Sequence, residues 1–181
     1  MKIYMFLAEG FEETEAITPL DLVMRAGADI KTVALGKQKS VCGAHGIKIE
    51  ADIFCDEMRL DDCDGLILPG GGLGTENLFA SETVKNAVEK IYGESKLVCA
   101  ICAAPTVLGR MGLLENKSAV CYPGMEDMLH CKEASENGVV RDGNVITARG
   151  MGVSYEFGLE IVKYLYGEEC AEKLKNTTCG K

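Results

Sequence analysis

Apolar positions fall into short runs separated by segments with helical spacing. Residues 3–8 form one such run, and residues 31–35 repeat its character. Between them Ile17, Leu20, Val23 and Met24 recur at helical intervals, so the first 35 residues predict a strand, a helix and a second strand. Gly65–Leu68 predicts a buried third strand ending in Pro69-Gly70-Gly71-Gly72, and Leu97–Ile101 a fourth ending at Cys102. Ser81 precedes Val84, Ala87, Val88 and Ile91, whose i, i+3, i+4, i+7 spacing predicts a capped amphipathic helix. A helix over residues 103–111 follows the fourth strand. Residues 119–122 and Val145–Ala148 predict further strands. Val153, Phe157, Ile161 and Leu165 then mark a long helix, before a short terminal one over residues 168–175.

Short apolar strands alternating with helices predict an α/β sandwich of three layers, with a mostly parallel central sheet covered on both faces. Residues 42–52, with Gly43 and Gly46, read as an inserted hairpin. With no internal repeat, linker or low-complexity segment, a single domain over residues 1–181 is expected. In such sheets ligands bind beyond the carboxyl ends of the strands, so the loops there carry the candidate chemistry.

Charge narrows the classes of function. Nineteen Lys and Arg against 28 Asp and Glu leave a net charge of −9, a field that repels phosphate backbones and anionic lipid headgroups. Nucleic acid and membranes are therefore not expected partners. The longest stretch without a charged residue, 97–109, is far shorter than the ~20 residues a spanning helix needs. Residues 3–8 are too short for the apolar part of a signal peptide, so a cytoplasmic location is expected. The nine cysteines are odd in number and irregular in spacing, which reads as free thiols in a reducing compartment.

Three places invite chemistry. The cluster Gly70-Gly71-Gly72-Leu73-Gly74-Thr75 fails the dinucleotide spacing because Thr75 stands where a third glycine is needed, and no phosphate-loop lysine follows. It reads as a tight turn, or as backbone passing close to a reacting group with N–H groups free to bind an anion. Cys99 and Cys102 have C-x-x-C spacing, yet strand alternation turns them to opposite faces. Cys102 itself falls at a strand-to-helix junction, where a nucleophile elbow would place it. It reads as a reactive thiol or as a buried structural one. Glu12, Glu13 and Glu15 open a helix, where acidic groups suit the dipole; a carboxyl beside Cys102 would have to be protonated to coexist with a thiolate. Cys121, His130 and Cys131 lack zinc spacing, so no metal is expected, and no motif calls for a cofactor.

Taken in order, these motifs resemble the ThiJ/PfpI family over essentially the whole chain. Ala8-Glu9-Gly10-Phe11-Glu12-Glu13-Thr14-Glu15 is similar to its small-residue loop and glutamate, and Leu68-Pro69-Gly70-Gly71-Gly72-Leu73-Gly74 to its oxyanion loop. Ala100-Ile101-Cys102-Ala103-Ala104-Pro105 is similar to its nucleophile elbow. Thr147-Ala148-Arg149-Gly150 and Phe157-Gly158-Leu159 are similar to its C-terminal signature. The resemblance implies a flavodoxin-like sandwich, a homodimer, and a catalytic Cys102 of lowered pKa held by a protonated Glu15. It also implies an anion hole from the N–H groups of Gly71 and Ala103, and an Arg25 that reaches the neighbouring subunit's site.

Two positions depart from the family pattern. Tyr122 stands where many members carry a histidine, leaving a cysteine–histidine mechanism without support, and His45 stands where many have an arginine, making anion binding there sensitive to pH. Arg25, His45 and Tyr122 are thus candidates for substrate or anion binding. The implied activity is of the glyoxalase III or protein deglycase type, on small dicarbonyls or their glycated adducts. A redox-sensing, chaperone-like role through oxidation of Cys102 is the second expectation, and a peptidase or amidase the weakest.

Overall fold

The computed structural model describes residues 1–180. In chain order the strands and helices are β1 (Lys2–Leu7), α1 (Glu13–Arg25), β2 (Asp29–Ala34), β3 (Ser40–Cys42), β4 (Lys48–Glu50) and β5 (Ile53–Phe54). Then come β6 (Gly65–Leu68), α2 (Gly72–Ala80), α3 (Glu82–Gly93), β7 (Leu97–Ile101) and α4 (Pro105–Arg110). The chain continues through β8 (Ser118–Ala119), β9 (Glu133–Ala134), β10 (Val139–Asp142), β11 (Val145–Ala148), α5 (Ser154–Tyr166) and α6 (Glu168–Thr177).

Seven strands form one sheet in the order β10-β11-β7-β6-β1-β2-β5, and every neighbouring pair is parallel except β10 with β11. Side-chain alternation splits the strands between two cores. Ile3, Met5, Leu7, Ile67, Cys99, Ile101 and Ile146 face α1, α5 and α6, where Ala16, Leu22, Phe157, Ile161 and Leu174 meet them. Tyr4, Phe6, Leu66, Leu68, Val98 and Ala100 face α2, α3 and α4, through Leu78, Val84, Val88, Ile91 and Val107. This is the expected three-layer sandwich, and the inserted hairpin is present as the antiparallel pair β3–β4. Ser81 caps α3, its hydroxyl accepting the Val84 N–H at 3.3 Å. No helix of the described residues is long and apolar enough to cross a membrane.

Three expectations differ. The buried face of α1 shares only part of the stripe Ile17-Leu20-Val23-Met24: Val23 is buried and Leu20 packs against the core, but Ile17 and Met24 are 42% and 56% exposed, while Glu13, Glu15, Ala16, Pro19 and Leu22 are buried. Pro19 and Leu22 seat over Gly158 of α5, which rotates the helix so that its two glutamates turn inward. The glycine cluster opens an unexpected nine-residue helix, α2. The strand expected over residues 119–122 shrinks to Ser118–Ala119 in a separate two-stranded sheet, because the chain beyond it bonds to the Cys102 elbow and to Thr147 instead of to a strand.

Sequence neighbours β1 and β2 run outward on one side, and β6 lies on the other side of β1. The order reverses at β1/β6, which opens a crevice at their carboxyl ends. The loops after β1, β6 and β7 converge there. Backbone bonds tie two of them, Glu12 N–H to Gly70 O at 3.0 Å and Gly74 N–H to Gly10 O at 3.2 Å, and Gly10 N–H reaches Cys42 O of the hairpin at 2.8 Å.

Candidate active site

Cys102 is held in a left-handed backbone conformation, with φ +64°, which is strained for a side chain with a Cβ. Its neighbours fix it: the Cys102 N–H donates to Ala148 O at 2.8 Å, and the Tyr122 N–H donates to Cys102 O at 2.8 Å. The turn swings the half-buried sulfur out of the strand alternation, toward the backbone N–H groups of Gly71 and Ala103, which hydrogen-bond it. Gly71 can present its N–H because it takes φ +90°, where a Cβ would collide with Gly10 O.

Glu15 reaches the same sulfur from the first turn of α1. The Glu12 carboxylate starts that turn by accepting the Glu15 N–H at 2.7 Å. The Glu15 side chain is 1% exposed. Its carboxyl accepts the Gly70 N–H at 3.1 Å and the Met151 N–H, and it is hydrogen-bonded with the Cys102 thiol. A Cβ at Gly70 would overlap Glu15 Oε2 and stand 2.7 Å from Cys102 Cβ, so the absence of a side chain there lets the two groups meet.

Burial pushes the Glu15 carboxyl up from 4.5 to about 7, against the hydrogen bonds from Cys102, Gly70 and Met151 that favour its charged form. Burial also pushes the Cys102 thiol up, to about 12, followed by the charge of Glu15 and the hydrogen bond to it. The implied lowering of the thiol pKa is therefore reversed here, because the sulfur sits out of water beside a carboxylate. A proton on Glu15 removes that repulsion, and the Gly71 and Ala103 N–H groups then favour a thiolate. Cys99, wholly buried, has its thiol pushed well above 9 and stays a core residue.

The other candidates lie around this pair at different removes. Tyr122, 52% exposed, stands on its rim: a Cβ at Gly150 would lie 3.7 Å from Tyr122 Cδ2 and 4.0 Å from Glu15 Oε1. His45 is engaged elsewhere, its Nδ1 paired with Glu13 Oε2 at 2.8 Å and its N–H donating to Glu13 Oε1 at 2.8 Å. Arg25 is at the far end of α1 from Glu15, about 15 Å along the helix axis, and donates to Asp21 at 2.6 Å. Within one chain the structure thus brings together Cys102, Glu15, Gly71 and Ala103, with Tyr122 beside them, and does not bring Arg25.

Sequence reasoning passed over Gly70 and Met151 as donors to Glu15. The adjacency of Gly70 to the expected anion loop was a usable signal; for Met151 there was none. Glu12, Glu13 and His45 place one ligand atom each within 4.8 Å of one another. Those carboxylates already accept the N–H groups of Glu15, His45 and Ile47. Cys121, His130 and Cys131 form no such group among the described residues.

A doubly wound, flavodoxin-like sandwich with a strained cysteine at a strand-to-helix elbow and a buried glutamate against it defines the class. The DJ-1/PfpI family pattern matches residues 1–164, and the chain belongs to that family. It is 37% identical over 181 residues to the Parkinson disease protein 7 homolog of Danio rerio, covering 94% of this chain and 93% of that one. It is 38% identical over 178 residues to Protein DJ-1 homolog B of Arabidopsis thaliana. That match takes in 98% of this chain, which spans about two fifths (41%) of the plant protein's length. Among solved structures, a cysteine-to-alanine mutant of a DJ-1 superfamily protein from Salmonella typhimurium superposes with a TM-score of 0.94 at 32% identity. The alignment covers 99% of this chain and 98% of that one.

Proposed function

We propose that the protein converts α-oxoaldehydes such as methylglyoxal, or their adducts with thiols and amines, to α-hydroxy acids, with Cys102 as nucleophile and Glu15 as the proton carrier. The observation that carries this reading is the hydrogen-bonded Cys102–Glu15 pair, with the carboxyl pushed up to about 7. A group of that pKa accepts and returns protons readily at neutral pH. No histidine is needed.

In the first step the sulfur bonds to the aldehyde carbon while its proton passes through the Glu15 carboxylate to the carbonyl oxygen, which becomes the hydroxyl of a hemithioacetal and leaves Glu15 ionised. The N–H groups of Gly71 and Ala103 offset the negative charge that develops. The Glu15 carboxylate then takes the proton from that carbon and delivers it to the adjacent carbonyl carbon, while the hydroxyl proton moves to that carbonyl's oxygen, leaving a thioester of the α-hydroxy acid. Water cleaves the thioester and the thiol is restored. The net change adds one water to the dicarbonyl, with no external oxidant or reductant.

Lactate formation from methylglyoxal tests the reading. Cys102→Ser and Glu15→Gln are each expected to lose at least about a hundredfold in kcat/KM. A parent protein that forms no lactate, yet takes up oxidant at Cys102 with stoichiometric peroxide, would transfer the assignment to redox sensing. We further take the working unit to be a homodimer, as is typical of the family. Exposed Ile17 and Met24 on α1 support it, and light scattering in solution checks it.

A further inference from the structure

The rim of the site holds a cavity of about 340 Å³, lined by Tyr122, Pro123, Arg149, Gly150, Met151 and Val153, among others. That volume falls at the small end of the ~300–1,000 Å³ of small-molecule sites. Its walls are unusual for a surface position, since two large apolar side chains that line it are well exposed, Tyr122 at 52% and Met151 at 54%. The cavity lies beside the reacting pair, with Gly150 and Tyr122 of its lining between it and Glu15. The open space over Gly150 borders both the Tyr122 ring and Glu15 Oε1, and the Met151 N–H donates to the Glu15 carboxyl. Tyr122 is anchored through its own N–H to the carbonyl of Cys102. Arg149, the one charged side chain lining the cavity, is tied by its Nη1 to Glu136 O at 2.8 Å.

We propose that this cavity is the subsite for the substituent of the substrate, and that it selects α-oxoaldehydes carrying an aromatic group over methylglyoxal. The inference rests on the proposed dicarbonyl activity and names its substrate class. A ring against Tyr122 gains offset or edge contacts, and the thioether of Met151 is a soft, adaptable partner for an aromatic edge. A methyl group would leave most of the cavity filled with water. The aldehyde end then lies toward Cys102 and Glu15, and the ring toward solvent between residues 122 and 151.

The test compares phenylglyoxal, followed as mandelate, with methylglyoxal, followed as lactate, in the parent, Tyr122→Ala and Tyr122→Phe. Equilibrium binding of mandelate and lactate themselves provides a readout that needs no turnover. The parent is expected to favour phenylglyoxal by at least about tenfold in kcat/KM. Tyr122→Ala brings the ratio toward one, mainly through KM, and Tyr122→Phe keeps it. Mandelate binds the parent more tightly than lactate, and Tyr122→Ala loses the difference. Equal binding of the two acids by the parent, or a ratio unmoved in a folded Tyr122→Ala, overturns the inference. A parent that turns over neither dicarbonyl while still preferring mandelate overturns the activity and supports the subsite.

Discussion

Glu13 and Glu15 are two residues apart on one helix turn, both nearly out of solvent at 7% and 1% exposure, and their carboxyls are driven in opposite directions. Burial alone would raise both, and for each it is the largest single cause. At Glu13 it is outweighed by the His45 imidazole and by N–H groups from His45 and Ile47, which hold the carboxyl below its ordinary 4.5. Glu15 has two N–H donors and a thiol, no cation, and the charge of Glu12 nearby, so it rises to about 7. Burial sets the stakes and the donor set decides the outcome. One glutamate becomes a structural anion pinning the hairpin to α1. The other becomes a group that titrates at neutral pH.

The largest way to break this contrast is to remove the titration. The unfolded chain releases the Glu15 proton near 4.5 and the folded chain near 7. The stability this confers is full below about 4.5 and is lost as pH rises through 7. The difference amounts to about 3 kcal/mol. Denaturant unfolding of the parent is expected to show that decline, and Glu15→Gln to flatten it, leaving the variant the more stable of the two at pH 8. An unchanged pH profile would mean that Glu15 titrates normally.

A smaller effect comes from separating Glu15 from Cys102 without touching either. Gly70→Ala puts a methyl group into Glu15 Oε2 and the Cys102 Cβ, at a cost of about 2 kcal/mol in stability from overpacking. Thiol alkylation followed against pH should then lose any inflection near 7, because the carboxyl no longer faces the sulfur. The smallest effect sharpens the other side. His45→Ala removes one of Glu13's three donor groups from an exposed position, so global stability moves little. The pairing of a raised His45 with Glu13 is present below the imidazole's ordinary pKa and lost above its raised one. Faster amide exchange at His45 and Ile47 in the variant, relative to the parent at pH 6, is the expected signature.

Much of this was legible in the sequence, and the gaps have physical causes. Five of the six apolar runs located β1, β2, β6, β7 and β11 because strands buried on both faces read as unbroken hydrophobic stretches. The elbow was visible in the abrupt change from Leu97–Ile101 to Ala103-Ala104-Pro105. The face of α1 was misjudged because hydrophobic periodicity counts carboxylates as surface groups, and here Glu13 and Glu15 are the ones turned inward. Helix α2 escaped notice because Gly70-Gly71-Gly72 is turn chemistry, and only the left-handed Gly71 converts it into a helix start. The upward shift of the Cys102 thiol comes first from burial and then from the neighbouring Glu15 carboxyl, and neither is encoded by spacing along the chain.

The two ends of the central sheet have a bearing on how the protein behaves when crowded. Unpaired strand edges are templates for another chain to add to, and long flat ones nucleate aggregates. One end here closes with the antiparallel β10, whose Arg141 pairs with Glu160 of α5 at 3.3 Å and whose Asp142 accepts the Ser118 N–H at 2.9 Å. The other ends with β5, two residues long, and Lys39 covers it, with its ammonium on Asp52 O at 2.6 Å and 5.4 Å above the Phe54 ring. A parallel core built almost wholly of apolar strands is thereby sealed at both margins by charge, which guards against fibre growth from either side.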